Sequence, residues 1–317
     1  MGRLIRGAVG LGVAALVVLV VGPAPLLERL EGAKPGWFVA AVAVAALANL
    51  LSALRWTQIA RALGLAARQR DLVVFYFRGV TTNSVLPGAH IGGDVLRAMQ
   101  LHRSGNPLTA SVSSVVIDRL LGFWTQAAVS LVAFGVATLS GQALLPAGLA
   151  AGYVVVLLVV LALPALPLSF FSRSRLRAVA HAGEALLRWQ RFTRERPRGF
   201  FRLAAAAVLV ALGWSTVLWL CLRAIGADAP YLAVLGLACG VFAGAAVPLA
   251  LAGFGPREVA AVLFLSALAP GAAAAAAASV LYGLAATVQG IAAAPLFALH
   301  VGEARPGSNP PEARSGP

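Results

Sequence analysis

Apolar residues run along this chain in long blocks, broken by short clusters of arginine, proline and glycine. Blocks at 7–22, 37–56, 108–139, 142–168, 203–222 and 272–299 read as helices that cross a hydrocarbon core of about 30 Å. The first could also be a secretory signal. Pro25 directly after Ala24 makes a poor cleavage site, so a retained helix is expected. Residues 26–34 are expected as a short outside loop, with Trp37 at the interface where the next span begins. Between the full spans, 72–103 and 231–268 each hold two apolar pieces too short to cross unaided, divided by a glycine and proline break. The expected fold is therefore all-α, a polytopic membrane helical bundle of about six full spans plus two broken or re-entrant hairpins.

The order of these pieces repeats: a full span, a broken pair opening inside, a full span, then a full span, a broken pair opening outside, a full span. Interrupted segments at corresponding places in two inverted halves mark the binding site of many transporters. Two unrelated hairpins, each crossing fully, would give the same loop polarity, and both readings stay open at this point.

The first break, 83–97, reads Asn-Ser-Val-Leu-Pro-Gly-Ala-His-Ile-Gly-Gly-Asp-Val-Leu-Arg. Pro87 and Gly88 end the arriving helix, and Gly92 and Gly93 permit close backbone approach. Asp94 then stands at a helix N-terminus, where negative charge is favoured, with Arg97 three residues on along the same face. The second break, 252–258, reads Ala-Gly-Phe-Gly-Pro-Arg-Glu. Irregular backbone at membrane depth persists only where protein surrounds it or it lines a hydrated cavity, so both breaks are expected to wall such a cavity.

Composition agrees with the membrane reading and narrows it. Of 317 residues, 60% are hydrophobic and 11% charged, with a mean hydropathy of +0.87. The formal charge is +14, and Lys34 is the lone lysine among 25 basic residues. Arginines gather in loops between apolar blocks, most densely over 173–202, as cytoplasmic loops do; no soluble region remains to hold nucleic acid. Helical spacing of Leu176, Val179, Ala180, Gly183, Leu186 and Leu187 predicts a basic amphipathic helix there, and it is read first as a topological anchor. Domain organisation follows: a membrane domain over 1–301, both termini cytoplasmic, and a disordered tail rich in proline, glycine and serine over 302–317. Cys221 and Cys239 sit in apolar blocks and build neither a disulfide framework nor a zinc site; no metal or other cofactor is expected.

Arg78, Asp94, Arg97, Asp118, Arg119, Arg257 and Glu258 fall within or beside apolar blocks. Each costs roughly 2.5 to 3.5 kcal/mol if it faces lipid at mid-membrane, so they must turn inward and pair or meet water. Asp94 and Arg97 can pair along one helix face. Asp118 and Arg119 are neighbours pointing about 100° apart, as are Arg257 and Glu258, and each needs a partner from another segment. The expected partners are Arg257 or Arg97 for Asp118, and Arg119 or Arg78 for Glu258. Helix N-termini and guanidinium forks both bind anions, so the constellation suits a phosphate or carboxylate.

Arg55-Trp56, the 83–97 stretch, Asp118-Arg119 and Gly253 to Glu258 resemble the lysylphosphatidylglycerol synthase transmembrane region family, also called flippase-like or UPF0104, over nearly the whole chain. The resemblance implies a bacterial inner-membrane protein that binds an anionic lipid headgroup, of a phospholipid or a polyprenyl phosphate, and moves it between leaflets. Its site would comprise Arg55, Asn83, Gly88, Gly92, Gly93, Asp94, Arg97, Asp118, Arg119, Arg257 and Glu258. Arg97, Arg119 and Arg257 would hold the phosphate, while Asp94, Asp118 and Glu258 orient them or take protons. Larger members carry a soluble aminoacyl-transfer domain, absent from this sequence, and aminoacylation is not expected of it. Membrane lipids are the expected partners. The alternatives are an intramembrane enzyme on a lipid carrier, with Asp94 or Asp118 as base, and a non-transporting partner of a lipid-modifying enzyme. His90 lies in the first break, but His102, His181 and His300 are scattered, so no histidine constellation supports the enzyme reading.

Overall fold

A computed structural model describes residues 22–85, 91–162, 187, 197–246, 255–299 and 301, and every regular element among them is helical. In chain order these are α1 (Pro23–Glu31), α2 (Pro35–Ala62), α3 (Gln69–Val85), α4 (Ile91–Arg103), α5 (Leu108–Leu139), α6 (Ala147–Ala162), α7 (Pro197–Ala224), α8 (Tyr231–Ala246), α9 (Pro256–Leu265) and α10 (Ala272–Ala293). A 3-10 turn, Ala294–Ala298, extends α10. Among the described residues, four helices are long and apolar enough to cross a membrane: α2, α5, α7 and α10 with its turn. The other two expected spans are seen only in part. Residues 7–21 and 163–168 lie outside the described residues, and within 142–162 the helix α6 starts only after Gly141 (φ +84°) and Pro146 have turned the chain.

Two further boundaries move. Residues 26–31, expected within an outside loop over 26–34, belong instead to α1, because proline opens the helix at Pro23 and Leu26 with Leu30 one turn later packs into the core against α10. Residues 197–202, placed with the basic segment, begin α7; the rest of 173–196 apart from Leu187, like the tail 302–317, lies outside the described residues.

The halves are related by an exchange that leaves the pattern of packed neighbours unchanged. Replace α1–α5 by α6–α10 and the pairs map onto one another: α3·α4 onto α8·α9, α4·α5 onto α9·α10, α2·α3 onto α7·α8, α3·α10 onto α8·α5, α2·α10 onto α7·α5, α2·α5 onto α7·α10, and α1·α10 onto α6·α5. The most extensive contact, α2·α7, maps onto itself. Both of these helices have 28 residues and begin at proline, and they end in Arg61-Ala62-Leu63-Gly64 and Arg223-Ala224-Ile225-Gly226, with the glycines at φ +75° and +82°.

Direction follows from the contacts along α2·α7. Lys34 donates its N–H to the Ala224 carbonyl at 2.8 Å, Trp37 meets Trp219, Ala48 meets Gly213, and Ile59 clusters with Leu203 and Ala207. The two helices are antiparallel, so the halves are inverted, and the repeat is real in three dimensions. Near the middle a Cβ on Gly213 would stand 3.1 Å from the Ala48 Cβ, the close approach that a crossing of like helices on a two-fold demands. Because α2 and α7 run oppositely, the hairpins α3/α4 and α8/α9 enter from opposite faces. Of these hairpin helices α9, with described residues on both sides, has 10 residues, about 15 Å at about 1.5 Å per residue, short of a core of about 30 Å.

The apolar core lies mainly in the second half. Ala274 to Ala278 of α10 are fully buried, and α10 packs against α1, α2, α3, α7 and α9, where small side chains let backbones approach. The first half buries Arg55, Arg97, Asp118, Gln126 and several serines, and the second half buries Arg257 and Glu258 with Ser215, Ser279 and Gln289. Symmetry of backbone therefore coexists with asymmetry of chemistry.

Candidate functional site

The first hairpin is pinned at a glycine crossing. A Cβ on Gly93 would stand 2.1 Å from the Gly79 carbonyl oxygen and 2.6 Å from Asn83 Oδ1, so no other residue fits without moving α4 off α3. Asn83 uses that closeness, its Oδ1 accepting the Gly93 N–H at 2.7 Å. The N–H is one of the donors a helix start leaves unpaired, and Asn83 supplies the acceptor from across the hairpin. Asn83, Gly92 and Gly93 thus shape the site; Gly88, with the turn 86–90 and His90, lies outside the described residues.

Five charged side chains from α2, α4 and α5 form one alternating chain at this hairpin. Arg55 binds the Asp118 carboxylate at 2.8 Å and the Asp118 carbonyl at 3.2 Å. The other Asp118 oxygen meets Arg97 at 3.4 Å, Arg97 reaches Asp94 at 2.8 Å, and Asp94 takes a two-pronged grip from Arg119, with both contacts at 2.8 Å. Asp118 therefore pairs with Arg97, one of its two expected partners, and with Arg55. Arg97 also lies between aromatic faces, 5.0 Å from the Trp56 centroid and 4.9 Å from that of Tyr76. Such stacking fixes a guanidinium in place and strengthens as water is removed.

Three guanidiniums face two carboxylates, so the chain carries one surplus positive charge. Its inner members are buried, with Arg55, Arg97 and Asp118 each 5% exposed or less. Arg55 Nη1 is buried and has no hydrogen-bond partner among the described residues. Its outer member is open: the Arg119 side chain is 49% exposed. Around that opening the same two helices present Ile91, Val95, Leu120 and Phe123 as exposed apolar side chains.

The second hairpin holds another constellation, and here the expected pairing is corrected. Glu258 meets neither Arg119 nor Arg78; its Oε1 binds the adjacent Arg257 at 2.8 Å and accepts from Ser279 at 3.0 Å, while its Oε2 accepts the Gly255 N–H at 2.5 Å. Sequence neighbours point apart only at Cβ. Pro256 at the first position of α9, after Gly255 at φ +108°, lets Glu258 fold back as the N-terminal cap, and the long Arg257 arm wraps to reach it. Arg257 also donates to Ser279 at 3.0 Å and stacks over Tyr282 at 5.4 Å. Both members are buried, whereas Arg119 at the first hairpin is half-exposed. Arg78 donates to the carbonyls of Leu296 and Leu299 and stacks over Phe297, closing the C-terminal turn of α10.

Tyr76, Ser279 and Tyr282 are site residues that the sequence reading passed over. Each sits in a run of apolar or small residues, where a lone hydroxyl carries no spacing signal, and only the fold sets it against an arginine.

A polytopic helical membrane protein with an inverted repeat and a net-positive ion chain at its first hairpin is thus defined. The chain matches the family described as the lysylphosphatidylglycerol synthase TM region over residues 5–294, and it belongs to that family. It is also similar to two UPF0104 membrane proteins of Methanothermobacter thermautotrophicus, at 28% identity over 112 residues and 30% over 125 residues, covering 35% and 38% of this chain and 33% and 35% of those proteins. A UPF0104 membrane protein of Methanocaldococcus jannaschii is 24% identical over 106 residues, covering 33% of this chain and 32% of its own. The matched part is about a third of each relative's length.

Proposed function

We propose that this protein, in the bacterial inner membrane with its Arg61, Arg68, Arg70 and Arg103 face toward the cytoplasm, binds the anionic headgroup of a membrane lipid at the α4–α5 ion chain and moves it between leaflets. The observation that carries this reading is the half-exposed Arg119, the open end of a chain with one more guanidinium than carboxylate, set among exposed Ile91, Val95, Leu120 and Phe123. Phe123 lies one helical turn from Arg119, on the same face. A ligand with a phosphate and acyl tails satisfies both halves of that surface, since a guanidinium fork matches phosphate oxygens and the apolar residues match hydrocarbon. Arg97 and Arg55 act behind it, holding Asp94 and Asp118 in place and lending positive potential without touching the ligand. The inverted halves, with hairpins entering from opposite faces, are the arrangement in which one unit rocks against the other to expose a site alternately.

The test is leaflet exchange in reconstituted vesicles. Fluorescent phosphatidylglycerol in the outer leaflet is bleached with dithionite, and the protected fraction is followed with time. Wild-type protein is expected to accelerate exchange of the anionic lipid but not of phosphatidylcholine, and Arg119→Gln to slow it at least tenfold, a loss of about 1.4 kcal/mol in barrier reduction. Equal exchange rates in wild-type and empty vesicles, for every anionic headgroup tried, would sink the proposal.

A further inference from the structure

At the far end of α2 from the ion chain, a cleft of about 210 Å³ opens between the start of α2 and the end of α7, lined by Lys34, Trp37, Arg223, Gly226, Ala227 and Asp228. Its floor is set by the antiparallel contact itself, where the Lys34 N–H meets the Ala224 carbonyl. Its wall is aromatic. The Arg223 guanidinium lies 5.4 Å from the Trp37 centroid and 5.8 Å from that of Trp219, whose indole N–H is spent on the Ala229 carbonyl at 3.0 Å. Tyr231 stands edge-on to Trp219 at 5.6 Å. Two cations face one carboxylate, because Asp228 pairs with Arg223 while its side chain projects almost wholly into the surroundings.

We infer that this cleft is a second headgroup site, which takes the phosphate of an anionic lipid in the leaflet on the α2-start face. Three features point there together. Lys34 and Arg223 leave one positive charge uncompensated in a recess that has room for a phosphate group with attached water. Tryptophan and tyrosine cluster where spanning helices end, at headgroup depth, so the anion they adjoin is a lipid's and not one free in solution. Eighteen residues of α2 separate Trp37 from Arg55, roughly 27 Å at about 1.5 Å per residue, which places this cleft on the opposite side from the ion chain. A lipid handed between leaflets needs a resting place on each side. The inference rests on the lipid-moving reading for its purpose, but its binding stands or falls separately.

Lys34 is the one lysine in the chain, which makes the site readable without mutation. Protein in phosphatidylcholine nanodiscs, with and without phosphatidylglycerol, is pulsed with an amine-acylating reagent, and modification of the peptide carrying Lys34 is followed by mass spectrometry. An Arg29→Lys variant adds a control amine on α1, outside the cleft, which corrects for the general effect of a negatively charged bilayer. Relative to that control, phosphatidylglycerol is expected to slow acylation of Lys34 at least fivefold. Arg223→Gln should abolish the protection, and millimolar inorganic phosphate in phosphatidylcholine discs should give none. Equal slowing of Lys34 and the control amine overturns the site and leaves the cleft an interfacial anchor; protection by inorganic phosphate overturns its assignment to lipid. Protection that persists in Arg119→Gln protein, whether or not exchange does, keeps this inference apart from the proposed function.

Discussion

Replacing Asp118 with asparagine tests whether the ion chain is held by charge or merely by shape. Asp118 is 2% exposed and faces Arg55 at 2.8 Å and Arg97 at 3.4 Å. At an effective dielectric constant of about 20, opposite unit charges about 4 Å apart attract by about 4 kcal/mol, so the two contacts together represent about 8 kcal/mol before desolvation. The amide keeps the side chain's volume, removes both attractions and turns an N–H donor toward guanidiniums that can only donate. Removing one partner of a buried ion pair typically costs about 3–5 kcal/mol, a large part of a stability of about 5–15 kcal/mol. The loss is expected in reversible unfolding in mixed micelles of dodecyl sulfate and a mild detergent, followed by circular dichroism. Arg55→Met should cost less, because Asp118 then keeps Arg97, and the double variant should fall short of the sum by about 0.5–3 kcal/mol. A cost below about 1 kcal/mol for Asp118→Asn, or strict additivity with Arg55→Met, refutes the reasoning.

Other predictions follow from the hairpins and the inverted repeat. Gly93→Ala drives a methyl into the Gly79 carbonyl and should cost about 1–3 kcal/mol in the same unfolding assay, whereas Gly135→Ala, with nothing within 4 Å, should be neutral or slightly stabilising. Glu258→Gln removes the charge that holds Arg257 and should destabilise by about 3–5 kcal/mol, while Ser279→Ala, losing hydrogen bonds to the two charged groups but leaving their ion pair, should cost less, about 1.5–3 kcal/mol; a larger cost for Ser279→Ala than for Glu258→Gln would show that the pair is not the dominant contact. A membrane-impermeant thiol reagent should label Lys34→Cys and Asp228→Cys from one side of the vesicle and Arg68→Cys and Ser104→Cys from the other. The buried Cys221 and Cys239 contribute no background, and labelling of Lys34→Cys and Asp228→Cys from opposite sides would overturn the antiparallel α2·α7 pair.

Most of the helices were legible from apolar block length alone, because a segment in lipid must satisfy its own backbone groups and has few alternatives to a helix. Helix α5 covers 108–139 with the expected boundaries, and α2 and α7 differ from expectation only by extra turns at their ends. The failures have local causes. Residues 26–31 were read by polarity, and an amphipathic helix docked against α10 looks polar in a linear reading. Glu258 was assigned a distant partner because helical spacing places neighbouring Cβ atoms about 100° apart, whereas side-chain reach and the capping geometry at Gly255 decide the contact.

What the sequence determined by itself was that these charges had to find partners, since the cost of a bare charge in hydrocarbon is too high to leave them alone. It also marked the chain as a helical membrane bundle. Only the tertiary structure decided that the two halves are inverted copies, and that one hairpin buries a neighbouring arginine–glutamate pair while the other's charges run outward to a half-exposed Arg119. The physical reason is that ion pairing depends on distances of a few ångströms between separate helices, and those distances are set by which glycine crosses which backbone, at Gly93 against Gly79 and Gly213 against Ala48, a fact about packing that no single segment contains.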